Sequence, residues 1–418
     1  SGPMKRIHVQ VFLVLSVAFS AAGQDINYYD PYSPAHEYHT RELNDPFTRM
    51  MADFESGKRE LDKSSGKAFV TSLLEHLGVP ATSQLLVFSR TSLQTRKISG
   101  SNPRAMYFNE DVYVGYIPGG KVEIISLDPE LGGIFYIFDI PEGEELPVIE
   151  RSGRCMNCHA VAETRRIPGL STRSVIPGSN WGKLVAFRDK EIGHQIPLSD
   201  RFGGYHVTGN PGDFDHKGNL KGEKVGGKIV TELVEPGTEY DWSAYLTETS
   251  DILPHLLLEH QSGFMNMVLE ASYRGRTYQH IGKGEIKPEH AAVLNRLAEE
   301  LVRYLLFADE AEFPAGGIKV DPQYREDFLA NRKEASGGIS LKDLDLETRM
   351  FKHRCSYLIY SDVFQATPDL FKQQVYQVLG EAISTEKPDS DFAYLAATEK
   401  KAIRDILRET LSDLPDGW

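Results

Sequence analysis

Two cysteines and a histidine crowd one short stretch, RSGRCMNCHA: Cys155, Cys158 and His159. Two thiols separated by two residues serve three chemistries: a redox dithiol, half of a zinc site, or the covalent anchor of a haem. A structural zinc site takes four nitrogen or sulfur ligands, usually from two such pairs. The remaining cysteine, Cys355, stands alone far downstream. A redox dithiol places its first thiolate where a strand passes into a helix. Here the flanks are rich in Gly and Arg, with no clear helical pattern after the pair. The histidine directly after the second cysteine favours the third chemistry. In it, both sulfurs form thioethers to the haem vinyl groups, and the next histidine lies beneath the iron as proximal ligand. The expectation is one covalent haem c, held by Cys155, Cys158 and His159. Cys355, in the apolar run RCSYLIYSDVF, reads as a buried, inert thiol.

The N-terminus bears on the same question, because haem of this kind is attached outside the cytoplasm. Ser1-Gly2-Pro3 reads as a cloning scar before Met4-Lys5-Arg6, a short basic region. An apolar run from Val9 to Phe19 and the small residues Ser20-Ala21-Ala22-Gly23 follow. This is the pattern of a secretory signal peptide over residues 1–23, too short for a stable membrane span. The expected location is periplasmic or otherwise exported, with no transmembrane segment after signal removal. The chain carries 46 basic and 60 acidic residues, a formal charge of −14. An acidic chain is a poor partner for nucleic acid, which needs clustered Lys and Arg. No G-x-S-x-G, P-loop or H-E-x-x-H motif occurs.

The elements that must hold the motif change character along the chain. FTRMMADFE and SSGKAFVTSLLEHLG have helical spacing, the second opened by serines and stopped at Gly78. From about residue 84 to 140, short β-branched and aromatic runs alternate with the turns PGG and DPELGG, as in an antiparallel sheet. The motif follows directly, then further strand candidates at KLVAF and GGYHVTG. From about residue 245 the pattern is helical. One helix covers ILPHLLLEHQSGFMNMVLEASYR, with Thr249 or Ser250 as its cap and Pro254 in its first turn. Others are expected at PEHAAVLNRLAEELVRYLLFADE, KDLDLETRMFKHRCSYLIYSDVF, PDLFKQQVYQVLGEAIS and TEKKAIRDILRETLSD. The fold class is therefore α+β, an antiparallel region around a mid-chain motif followed by a helical C-terminal half. It is not the small all-α plan of a simple electron carrier. Residues 24–245 form the mixed haem-attachment region and 246–418 the helical region. With no Pro/Gly-rich linker between them, the two are expected to pack as one unit.

Five stretches resemble a family of exported monohaem c-type proteins of environmental bacteria, mostly uncharacterised. They are NPRAMYFNEDVYVGY, CMNCH, DRFGGYHVTGNPGDFDHKGN, YLTETSDILPHLLLEHQSGFMN and DLDLETRMFKHRCSYLIYSDVF, and they span most of the chain beyond about residue 80. The resemblance implies the cofactor and no particular reaction. The family pattern has Trp-Tyr where this chain has Tyr205-His206, and Met-His where Phe264-Met265 precede Asn266. His194, His216 and His260 match family positions.

The sixth iron position decides between reactions. A carrier fills it with Met or His, and an enzyme leaves it open. Candidates are His194, His206, His216, His260, Met265 and Met267. His216 ranks first, because a histidine in the Gly/Asp-rich loop GDFDHKGN has no packing role. His260 ranks second; it shares a helix face with Phe264 and Met267 and is equally a core residue. Arg151, Arg154, Arg165, Arg166 and Arg173 crowd the motif, and Arg154 is the expected propionate contact. Trp181 and Tyr205 are candidates to pack on the porphyrin. The first expectation is single-electron transfer with a redox partner protein or a small-molecule oxidant or reductant. The alternatives are a haem enzyme with an open distal site, peroxidase-like or reducing a small oxyanion, and a haem-based sensor or binding module.

Overall fold

The computed structural model describes residues 26–187 and 192–418. The basic and apolar N-terminal stretch read as a signal peptide lies outside the described residues. Two helices open the fold. In α1 (Pro46–Glu55), Asp45 caps the first turn, accepting from the Phe47 and Thr48 amides at 3.1 Å each. In α2 (Gly66–Leu77), Ser65 accepts from the Ala68 amide at 3.0 Å. The helix ends at Gly78, whose φ of 64° is a left-handed cap that glycine reaches without strain.

A six-stranded antiparallel meander follows: β1 (Leu85–Val87), β2 (Arg104–Phe108), β3 (Val112–Tyr116), β4 (Val122–Asp128), β5 (Gly132–Phe138) and β6 (Glu150–Arg151). Alternation along the strands divides its side chains between two cores. Ala105, Tyr107, Val114, Ile124, Ile134 and Tyr136 face α1 and α2. Phe108, Tyr113 and Leu127 face the helical half. On this second face, near the start of β2, the cover thins. Arg104, Met106, Glu123 and Ile125 are only half-buried there. The short β6 leads from the sheet edge into α3 (Met156–His159). Two small hairpins come next, β7 (Ser174–Pro177) with β8 (Lys183–Phe187), and β9 (Leu220–Val225) with β10 (Lys228–Leu233).

The helical half is organised around α4 (Ile252–Ile281), with α5 (Pro288–Leu305), α6 (Pro322–Leu329), α7 (Asp362–Gln365), α8 (Asp369–Ala382) and α9 (Ala397–Thr410). α4 is buried on all sides over most of its length, the mark of a helix inside a core rather than on a surface. The sheet and the helices are joined by specific hydrogen bonds as well as by apolar contact. Tyr113 donates to Gln261 at 2.9 Å, and Tyr273 donates to the Leu131 carbonyl at 2.7 Å. None of the described helices is long and apolar enough to cross a membrane.

The α+β class holds, and three local expectations do not. The cap of α4 is Asp251, which accepts from the Leu253 amide at 3.1 Å. Ser250 instead ties β1 to the loop before the helix, bonding the Leu86 amide at 3.0 Å and the His206 carbonyl at 2.7 Å. GGYHVTG forms no strand and makes only an isolated bridge, Val87 with Tyr205. KDLDLETRMFKHRCSYLIYSDVF is mostly irregular. Asp345 captures the Glu347 and Thr348 amides at 2.9 and 2.7 Å, and a side chain that bonds nearby amides competes with helix. α6 was not anticipated.

That irregular segment covers Glu310, which accepts from the Met350 amide at 2.9 Å. Burial pushes Glu310 up to about 7 from 4.5, with Arg354, Arg201 and Arg349 opposing. The folded chain therefore holds this proton more tightly than the unfolded chain. Its contribution to stability is present below about 4.5 and is lost as pH rises through about 7. Asp111, also pushed up to about 7 by burial, adds a slope of the same sign. Glu310→Gln should flatten the fall in urea midpoint between about pH 5 and pH 8, leaving the Asp111 share. An unchanged slope would contradict the assignment.

Candidate functional site

Cys155 and Cys158 are free thiols on one tight turn, the first half-buried and the second exposed. Residues 153–155 form a single 3-10 turn that runs on into α3, so the pair sits three residues apart on one side of a continuous helical turn. The turn is placed by β6 beneath it, where the Ser152 amide donates to the Phe135 carbonyl at 2.9 Å. Burial pushes the Cys155 thiol up. A redox or nucleophilic cysteine needs the opposite shift.

His159 closes the turn with its ring 5.1 Å from that of Phe135 on β5. Its Nδ1–H donates to the Gly169 carbonyl at 3.1 Å. A neutral imidazole carries one ring proton, so this bond leaves the Nε2 lone pair for a metal. Burial is the main reason the ring is held down to about 4. Arg104 and Arg173 add to that, while the Gly169 bond and Glu123 oppose it, and the ring is neutral at neutral pH. The loop from His159 to Leu170 is pinned back on itself. The Gly169 amide and the Thr164 hydroxyl both donate to the His159 carbonyl, at 2.8 and 3.0 Å. The Pro168 carbonyl accepts from the Gly133 amide on β5 at 2.8 Å. Asn266 on α4 then takes both polar groups of Leu170, its Oδ1 2.8 Å from the amide and its Nδ2 2.7 Å from the carbonyl.

Beside the motif lies the half-covered strip of the sheet. Arg104 pairs with Glu123 at 3.0 Å, and its other terminal nitrogen stands 3.5 Å from the Met106 sulfur. The buried Nε of Arg104 makes no hydrogen bond within the described residues. A half-buried guanidinium with one nitrogen left unbonded is a group that a planar anion laid against the sheet could pair with, in competition with Glu123.

The residues named from sequence scatter around this centre. Arg154 is exposed on the turn. Arg165 is spent on Glu270 at 2.7 Å and Glu300 at 2.6 Å, and Arg173 pairs with Glu163 at 3.3 Å. Arg151 stacks over Tyr38, and Arg166 over Tyr29. Trp181 packs edge-on against Phe88, and Tyr205 against His255. His260 is wholly buried in the helical core. Its Nδ1 lies 2.8 Å from His194 Nδ1, and its Nε2 lies 2.7 Å from the Ser356 hydroxyl. His216 accepts at Nδ1 from the Gly218 amide at 3.0 Å, so in the neutral ring its Nε2 carries the proton. In this arrangement neither histidine offers a free lone pair to iron. Met265 and Met267 fill the core. Cys355 is fully buried, and burial raises its pKa.

The residues that sequence reasoning missed are Arg104, Met106, Glu123, Gly169 and Asn266. Glycine after proline in IPGL was a visible turn signal. The others lie far from the motif in sequence and are brought near it by strand pairing and by α4. Among the described residues, no group of three His, Cys, Asp or Glu side chains is placed to hold a metal ion. That is compatible with a haem, whose ring supplies four of the iron's ligands. No family model, no curated protein and no solved structure matches the chain.

Proposed function

We propose that the protein is an exported c-type haem protein that carries single electrons on one haem, covalently bound at Cys155 and Cys158. The observation that carries the reading is the His159 imidazole. Its Nδ1 proton is committed to the Gly169 carbonyl at 3.1 Å, beside two free thiols at haem-anchor spacing. A backbone carbonyl on the far ring nitrogen is the usual way a protein fixes the tautomer and raises the basicity of a metal-binding histidine. A haem bound there would supply a one-electron couple. The chain supplies two thioether attachments, the proximal nitrogen, and a half-covered sheet face with Arg104 as the first cation for a propionate. Cys158 and Arg154 are exposed, so the attachment edge is open to solvent, the condition for electron exchange with a partner protein or a small redox molecule. The basic and apolar N-terminal stretch, read from the sequence as an export signal, agrees with the compartment in which such attachment occurs.

A second reading, a haem enzyme with an open sixth position, is favoured by the engaged ring nitrogens of His216 and His260. Carbon monoxide separates the two. Chain made with the haem c maturation machinery should give a reduced spectrum that carbon monoxide leaves unchanged, because the electron-transfer reading requires a closed iron. The thioether of Met106 is the sulfur on the strip beside the motif. An immediate shift with carbon monoxide would replace electron transfer by the second reading and direct attention to peroxide and oxyanion turnover.

A further inference from the structure

We infer that Asn266 is a positioning residue for the proximal imidazole, holding from α4 the loop whose Gly169 carbonyl fixes His159. The redox consequence rests on the haem reading above; the geometry does not. Asn266 is 7% exposed, and its carboxamide is used at both ends on one residue, Leu170. Both the amide and the carbonyl of Leu170 are therefore held by a side chain 96 residues away in sequence. The fit is close. A Cβ on Gly169 would lie 2.3 Å from Asn266 Oδ1, so only glycine lets the loop approach the helix this closely. Other ties of the loop run to β5, back to His159, and through Arg165 to Glu270 on α4 and Glu300 on α5. Of the two side-chain ties described between this loop and α4, Asn266 with Leu170 and Arg165 with Glu270, the Asn266 tie lies one residue from the carbonyl that holds Nδ1.

The chemistry follows from the hydrogen bond. A carbonyl held in line with Nδ1–H increases electron density at Nε2, which favours ferric over ferrous iron, and it fixes the plane of the ring. If the loop is released, Nε2 becomes a weaker donor and the ring gains freedom. Partners of this kind cost about 10- to 100-fold in metal affinity or activity when removed.

The test has two readouts. In the haem-free chain, nitrogen NMR should find His159 as the Nδ1–H tautomer, and Asn266→Leu should shift it toward a mixture. In the haem-loaded chain, Asn266→Leu should raise the midpoint potential by about tenfold in the one-electron equilibrium, or about 59 mV. Asn266→Asp keeps the acceptor for the Leu170 amide and loses the donor to its carbonyl, and should move both readouts part of the way. Gly169→Ala should move them in the same direction by pressing on Asn266, which keeps the inference testable if the leucine variant fails to fold. Leu257→Ala, a core truncation in the same helix, serves as the control: it should lower Tm without moving potential or tautomer. Wild-type values for both readouts in folded Asn266 and Gly169 variants would overturn the inference. A chain that takes up no haem would defeat the haem reading, and the tautomer would still decide this one.

Discussion

Cys155→Ser/Cys158→Ser, expressed with the haem c maturation machinery, should show no haem stain on a denaturing gel, against a full signal from the wild type. The expectation follows from the separation of roles at the turn. The two thiols make the only covalent links the reading allows, while His159 makes a coordination bond that denaturant breaks. Each single serine variant should keep a weaker signal, because one thioether still survives denaturation. Cys355→Ser should keep the full signal, since that thiol is buried in the helical core and belongs to another part of the fold. Full stain in the double variant would remove both thiols from the account. The serine pair also separates haem from a dithiol. A dithiol enzyme would lose thiol–disulfide exchange in this variant and would never have stained.

The second large effect is on stability. Arg201→Leu should destabilise the chain by about 3–5 kcal/mol, read as a fall in urea midpoint. Arg201 is 1% exposed. Its Nε donates to the Ile196 carbonyl at 2.7 Å and lies 3.3 Å from Glu259 Oε2 on α4. Burial lowers its pKa, and Glu259 is the first opposing influence. Removing the guanidinium takes one partner from an ion pair whose arginine is fully buried, and breaking such a pair from one side accounts for most of the cost. Arg201→Leu/Glu259→Leu should therefore recover a large part of the loss, as replacing a whole buried pair by apolar groups often does. A single variant that costs under about 1 kcal/mol would place the pair among exposed, weakly contributing ion pairs.

The motif was legible because its chemistry is local. Cys155, Cys158 and His159 announce themselves by spacing, and the turn that brings them together spans five consecutive residues. The class was legible because the apolar period changes twice, from 3.6 to 2 over residues 84–140 and back after 245. What failed was of two kinds. In the 342–364 stretch, apolar residues recur at helical intervals. Asp345, Ser356 and Ser361 bond nearby amides instead and break the stretch into turns, which sequence periodicity does not weigh. The second kind is distance. Gly169 holds the His159 ring through its carbonyl and Asn266 holds the backbone of Leu170 beside it, and no residue type signals that an asparagine on a buried helix will meet a loop 96 residues earlier. Of the arginines near the motif, Arg165 and Arg173 answer carboxylates of the protein itself and Arg154 is exposed on the turn, while Arg104, on the sheet beside His159, comes from a distant strand and is itself paired with Glu123.

The central claim is covalent haem at the CMNCH turn, and the most direct measurement is an intact mass. The mature chain, produced with the maturation machinery, would be denatured, reduced and treated with a thiol alkylator before weighing. The account predicts the chain plus one haem and one alkyl group, on Cys355. A chain without haem carrying three alkyl groups would contradict it and return Cys155 and Cys158 to thiol chemistry.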